Sequence, residues 1–183
     1  IAEHPDLNLV RHGKRLVRFD DVDVSVPVEV TTPDGKFPRQ VVLRKAQQRS
    51  AADLCAELEA ARTQHARTGD TGAEDRGFRR KMRWLRLVPS FARIRLMRLY
   101  MRSAFRIKRS AGTTLVTSVG KFATIPGFGF SFTTGPRAAA FGIGSVVEKP
   151  WVHRGKICIR SVLPLSVMVD HDLVRGSPPP RFA

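Results

Sequence analysis

Leu165-Ser166-Val167-Met168-Val169-Asp170-His171 closes the strand-rich carboxy-terminal part of the chain. Ser161 to Val169 reads as a final strand, and it delivers His171 where a strand meets a loop, a frequent position for functional groups. Upstream, Thr113 to Val119 is a β-branched run bounded by Gly112 and Gly120. Glycines, Pro126 and Pro136 punctuate a loop-rich region, after which Ala138 to Val147 reads as a strand broken by Gly142 and Gly144. Trp151 to Ile157 reads as two strands joined by a turn at Arg154-Gly155.

Farther from the carboxy terminus the patterns change. Val22, Val24, Val26, Val28 and Val30 alternate with polar residues or Pro27, the signature of a strand with one buried face. Pro27 cannot donate a ladder hydrogen bond, which predicts an edge or a bulge there. Thr32-Pro33-Asp34-Gly35 has turn chemistry, and a short strand follows around Gln40 to Leu43. Ser50-Ala51-Ala52-Asp53 resembles a capping box opening a helix with Leu54, Leu58 and Ala61 on one face, ended by Gly69 to Gly72.

Between these parts lies a segment of different character. No carboxylate occurs between Arg76 and Val147. Phe78 to Arg109 mixes bases with large apolar residues and predicts two helices broken at Pro89-Ser90. On the second, Arg95, Arg98, Arg102, Arg106 and Arg109 form one stripe, with Ile94, Met97, Met101, Ala104 and Phe105 on the opposite arc. Such a helix either packs its apolar arc on the domain and solvates its arginines, or lies on an anionic membrane surface. No nucleic-acid-binding motif accompanies the charge, so no specific nucleic-acid partner is expected.

Composition bounds the rest. The 183 residues, 42% apolar, suffice for one domain with one substantial core. The formal charge of +16 predicts attraction to phosphates, anionic lipid or an acidic partner. Cys55 and Cys158 lack metal-ligand spacing, so neither a disulfide framework nor a metal is expected. No run of about 18 apolar residues appears, and the first residues lack a signal-peptide pattern. The expected setting is cytoplasmic, with peripheral membrane attachment if the basic helices engage lipid.

The order of the motifs resembles that of the catalytic domain of the dihydrolipoamide acyltransferases of 2-oxo acid dehydrogenase complexes, relatives of chloramphenicol acetyltransferase. His4-Pro5-Asp6-Leu7-Asn8 matches the family's HPxLN, Asp21 to Val24 its DVNxxVAV strand and Thr32 to Gly35 its TPxG turn. Gly112 to Gly120 parallels GGTFTISNLG, Gly135 to Gly144 parallels PPQxAILGxG, and Leu165 to Gly176 parallels LSxSxDHRxxDG. The resemblance implies an α/β (α+β) two-layer sandwich: a mixed sheet with helices on one face, one catalytic domain over residues 1–183. Residues 78–109 are then a basic helical insertion, and the helix and strand that open the family fold are expected before Ile1.

The chemistry implied is transfer of an acyl group between a thioester and a thiol, with coenzyme A as a substrate and a lipoyl group or similar carrier as its partner. His171 matches the family's catalytic histidine, suited to removing a thiol proton. Thr117, or else Ser118, matches the hydroxyl that stabilises the oxyanion. In the family the two groups come from adjacent subunits, so a homotrimer or a larger cage is implied. No lipoyl-attachment segment is recognisable in this chain.

Asp170-His171-Asp172-Leu173-Val174-Arg175-Gly176 departs from DHRxxDG by exchanging the two charges. Arg175 cannot accept the hydrogen bonds of the family's aspartate, and Asp172 offers a carboxylate from a different direction. Three readings stay open: the acyltransferase, a non-catalytic trimeric scaffold in which His171 only ends a strand, and a membrane-associated protein using the basic helices.

Overall fold

The computed structural model describes residues 1, 3–32, 35–68, 88–118 and 135–174. A 3-10 turn over Pro5–Leu7 leads into a hairpin of β1 (Leu9–His12) and β2 (Arg15–Arg18), turned at Gly13 with φ +62°. This hairpin is absent from the expectations above, although Gly13 was its local signal. β3 (Val24–Thr32) and β4 (Gly35–Leu43) pair antiparallel from Val24↔Leu43 to Thr32↔Gly35, so β4 is longer than its apolar end suggested. The turn residues Pro33 and Asp34 lie outside the described residues.

α1 (Ala51–Thr68) opens on the expected capping box. The Asp53 N–H donates to Ser50 Oγ at 3.1 Å, and the Ser50 hydroxyl donates to the Asp53 carboxylate at 2.7 Å. That hydroxyl bond, foremost, holds the Asp53 carboxyl below its ordinary pKa. Gly69 to Gly72 and the first basic helix up to residue 87 lie outside the described residues.

The second basic helix is two helices, α2 (Ser90–Met101) and α3 (Ala104–Ala111). The stripe of five arginines is therefore divided: Arg95 and Arg98 lie on α2, Arg102 caps it, and Arg106 and Arg109 lie on α3. The break has a distant cause. His12 Nδ1 accepts the Ala104 N–H at 3.1 Å, and the Arg102 carbonyl accepts the Gly13 N–H at 2.9 Å. The tip of the β1–β2 hairpin thus starts a new helix by supplying a cap to an otherwise orphaned donor. His12→Ala is expected to lower the unfolding free energy by about 1 kcal/mol, the usual worth of an N-cap, and a urea titration measures it.

β5 (Thr114–Ser118), β6 (Ala139–Ile143), β7 (Val147–His153), β8 (Lys156–Val162) and β9 (Leu165–Val169) complete the order. The main sheet runs β4-β3-β5-β6-β9, with β3, β5 and β6 parallel and both outer pairs antiparallel. Together with the helices this is the expected mixed α/β architecture. Pro27 lies in a middle strand, but the pairing of β3 with β5 stops at Val24↔Thr114 and Ser25↔Leu115. At Pro27 the strand therefore has one neighbour, the local edge that proline requires.

Two expected boundaries differ. Gly142 does not break its strand but pairs within it, and the chain leaves β6 only at Gly144, whose N–H donates to the Pro164 carbonyl. Ser161 to Val169 is not one strand, because Leu163 and Pro164 separate β8 from β9. β7 and β8 form the expected hairpin through Arg154 (φ 51°) and Gly155 (φ 74°), the left-handed pair that suits a two-residue turn.

Two apolar clusters hold the fold. One joins Leu7, Ala138, Ala139 and Phe141 to Leu173 and Val174; the other joins Val10 and Phe19 to Ala104 and Ile107. Between them, the buried Asp23 accepts from the Lys45 N–H at 3.0 Å and from Arg44 Nη1 at 2.8 Å. The same Arg44 donates to the Lys108 and Arg109 carbonyls, and Arg137 donates to the Ala111 carbonyl at 2.6 Å. Two guanidinium groups thus cover the negative end of α3 and fix where β5 begins. Burial pushes the Arg137 pKa down from its ordinary value, but guanidinium stays protonated at neutral pH.

Candidate functional site

Thr117 lies near the carboxy-terminal end of β5, in one row with Gly142 of β6 and Ser166 of β9. Its neighbour Val116 packs toward the Leu7–Phe141 cluster, and successive side chains of a strand alternate. Thr117 therefore presents its hydroxyl to the face opposite Val116, and Ser118 to the face Val116 shares. The two hydroxyls cannot serve one site interchangeably. Among the described residues the Thr117 hydroxyl makes no hydrogen bond, which leaves its proton available to a ligand oxygen.

His171 stands at the other end of the sheet. β9 runs antiparallel to β6, so Val169 pairs with Ala139 and the Asp170 N–H donates to the Ala138 carbonyl at 2.9 Å. With a rise of about 3.3 Å per residue and strands about 4.8 Å apart, the Cα atoms of Val169 and Thr117 are roughly 14 Å apart. His171 lies two residues farther on. Within one chain the structure does not bring the expected base and hydroxyl together.

The turn holding His171 is built by its neighbours. The Asp170 carbonyl accepts the Leu173 and Val174 N–H groups at 3.0 Å each, and its carboxylate accepts the Asp172 N–H at 2.9 Å. Leu173 and Val174 are buried in the first apolar cluster, so the turn is pinned while the imidazole is exposed. Asp170 is thus a turn-builder rather than a partner of the ring. Asp172 is directed away to Arg11 of β1, 3.8 Å distant. Neither flanking carboxylate orients His171, and Arg175 and Gly176 lie outside the described residues. Arg11 and Arg137 escaped the reading of the sequence, because their partners lie far along the chain.

Val146, Leu163 and Leu165 are exposed around the end of β8 and the start of β9, and the β7–β8 hairpin exposes Trp151, Val152, Ile157 and Ile159. Among the described residues no cluster of three or more His, Cys, Asp or Glu is placed to hold a metal. No described helix is long and apolar enough to cross a membrane.

Residues 107–183 match the family model described as 2-oxoacid dehydrogenases acyltransferase (catalytic domain). Over 75 residues the chain is 36% identical to the dihydrolipoyllysine-residue acetyltransferase component of the pyruvate dehydrogenase complex of Acholeplasma laidlawii; this covers 41% of the chain and 13% of that protein. Among solved structures, the cubic core of a pyruvate dehydrogenase multienzyme complex matches with a TM-score of 0.58 and 23% identity, over 99% of this chain and 59% of the other. An Azotobacter vinelandii dihydrolipoamide acetyltransferase, in which a serine, a histidine and an asparagine were investigated in the catalytic mechanism, matches with a TM-score of 0.57 and 24% identity. That alignment covers 99% of this chain and 59% of the other. The chain spans about three fifths of the solved relatives. By its fold and its carboxy-terminal sequence, the chain resembles the acyltransferase catalytic domain of the 2-oxoacid dehydrogenases.

Proposed function

We propose that the protein transfers an acyl group between a thioester and a thiol, with coenzyme A on one side and a lipoyl-type carrier on the other, at a site shared by adjacent subunits of a trimer. The observation that carries this reading is that the segment matching the acyltransferase model, residues 107–183, contains both Thr117 and His171. Their separation, about 14 Å between the Cα atoms of Val169 and Thr117, supports a site completed by a second copy. So does the exposed apolar β7–β8 hairpin, a surface of the kind that assembly buries. The Azotobacter enzyme's serine and histidine provide the same two chemical types.

In this mechanism His171 takes the proton of the attacking thiol, and the thiolate adds to the thioester carbonyl carbon. The Thr117 hydroxyl of the adjacent subunit donates to the oxyanion formed. Collapse restores the carbonyl and expels the other sulfur, which receives the proton from His171. Neutral imidazole is regenerated, and protons and electrons balance without a further reactant. The exposure of His171 suits a group that must meet a substrate and a neighbouring subunit.

Incubation of the purified protein with acetyl-coenzyme A and dihydrolipoamide tests the reading, and no turnover in a verified trimer ends it. Thr117→Val, which keeps the branched shape and removes the donor, is expected to lower kcat by roughly 10²-fold. Ser118→Ala is expected to leave kcat near wild type. A second reading, a non-catalytic trimeric scaffold, is favoured by one observation: position 175, four after His171, holds arginine, whereas the family pattern has aspartate there. Wild-type protein that assembles and binds coenzyme A without turnover would establish it.

A further inference from the structure

We propose that α2 docks the protein on the surface of a bilayer containing anionic phospholipid. α2 buries none of its residues, so the expected packing of the basic segment's apolar arc on the domain holds for Ala104 and Ile107 of α3 but not for α2. Phe91, Ile94, Leu96, Met97 and Leu99 are each more than half exposed, and Tyr100 and Met101 are exposed beside them. Seven large exposed apolar side chains on one short helix are more than scattered exposure accounts for, and Phe91, Ile94 and Leu99 among them lie together on one side.

Its charge has one sign. Arg93, Arg95, Arg98 and Arg102 form no ion pair and no side-chain hydrogen bond among the described residues, and the sequence offers no carboxylate from Arg76 to Val147. Arg95, Arg98 and Arg102 follow helical spacing down one stripe. With Phe91, Ile94 and Leu99 they line an open groove of about 600 Å³. Guanidinium groups pair with phosphate, and the apolar side chains match the first methylenes of an acyl chain. Both halves of an anionic phospholipid thus find their counterpart on the same helix.

The alternatives satisfy only one half. A second copy meeting α2 through its own α2 would bring the same unpaired arginines against these, and one meeting it head-to-tail would have to supply carboxylates from a chain that has twice as many bases as acids. A nucleic acid would pair with the arginines and leave the apolar residues in water. A twelve-residue helix, about 18 Å long, cannot span a bilayer but can lie along its surface, its arginines reaching up to the phosphates. It is tied to the domain at its end by the Gly13 bond to the Arg102 carbonyl.

Co-sedimentation of the full chain with phosphatidylcholine vesicles, with and without phosphatidylglycerol, tests the proposal. Binding is expected to the anionic vesicles and not to the neutral ones. The double variant Leu96→Glu/Leu99→Glu is expected to abolish it. At about 1 kcal/mol per basic residue near the surface, Arg95→Gln/Arg98→Gln/Arg102→Gln is expected to weaken it on the order of 10²-fold. All of these side chains are exposed, so thermal melts should stay at the wild-type midpoint, and a milder Leu96→Ser/Leu99→Ser pair replaces any variant that fails this check. Absence of binding overturns the proposal. So does binding that the leucine variants leave unchanged, because the net charge alone would then account for it. Retention of an oligonucleotide that depends on the arginines and not on the leucines, without vesicle binding, also overturns it.

Discussion

Replacing His171 by alanine is expected to lower acyl transfer between coenzyme A and dihydrolipoamide by about 10² to 10⁴-fold at neutral pH, the range that a general base contributes. The loss should appear in kcat while the fold and assembly persist. The turn around His171 is made by the Asp170 carbonyl and carboxylate and by the buried Leu173 and Val174, none of which depends on the imidazole. A drop in activity with an unchanged melting midpoint therefore reports chemistry rather than folding. Equal rates for His171→Ala and wild type would end the assignment of the base.

The placement of the two groups sharpens this test. If the base and the hydroxyl of one site belong to different subunits, His171→Ala and Thr117→Val chains are each inactive alone but complement each other in mixed assemblies. Random mixing in a closed trimer leaves about a quarter of the sites with both native groups, so co-expressed variants should regain roughly that share of activity. A site within one chain allows no such recovery, since every site would then lack one group.

The order of strands and the terminal turn were readable because each rests on a local pattern. Alternating valines mark β3, a β-branched run between glycines marks β5, and Arg154-Gly155 marks the hairpin turn. What escaped rests on contacts between distant residues. The division of the basic helix at Ser103 depends on His12, which caps Ala104 from ninety-two positions away, and no helical periodicity contains that information. Arg44 and Arg137 read as two more surface cations in a chain rich in them, yet both close the end of α3. For the site, residue types were legible and their geometry was not. Asp172 looked like a substitute for the family's aspartate, but it faces Arg11. That Thr117 and His171 stand at opposite ends of the sheet follows only from strand register.

Among the described glycines with a positive φ, Gly112→Ala is expected to be the most damaging single methyl group, costing about 3–5 kcal/mol and abolishing accumulation of folded protein at 37 °C. Two separate penalties meet at this position. Its φ of +68° with ψ −176° lies in a region open almost only to glycine, which costs a side-chain-bearing residue about 1–3 kcal/mol. A Cβ there would also stand 2.5 Å from the Asp23 carbonyl oxygen and 3.3 Å from the Ser25 nitrogen, both backbone atoms. That carbonyl cannot retreat freely, because it accepts the Thr113 N–H at 2.7 Å and the Thr114 N–H at 3.1 Å. Those bonds, with the short pairing of Val24 and Ser25 against Thr114 and Leu115, join β5 to β3. Relief of the clash would thus loosen the strand that carries Thr117. Gly135→Ala separates the two penalties: its φ is +66°, but nothing lies within 4 Å of an added Cβ. It should cost only the conformational part, about 1–2 kcal/mol. Denaturant unfolding of the two variants side by side reads the difference, and equal losses would mean that the close approach of Gly112 to β3 does not hold the sheet together.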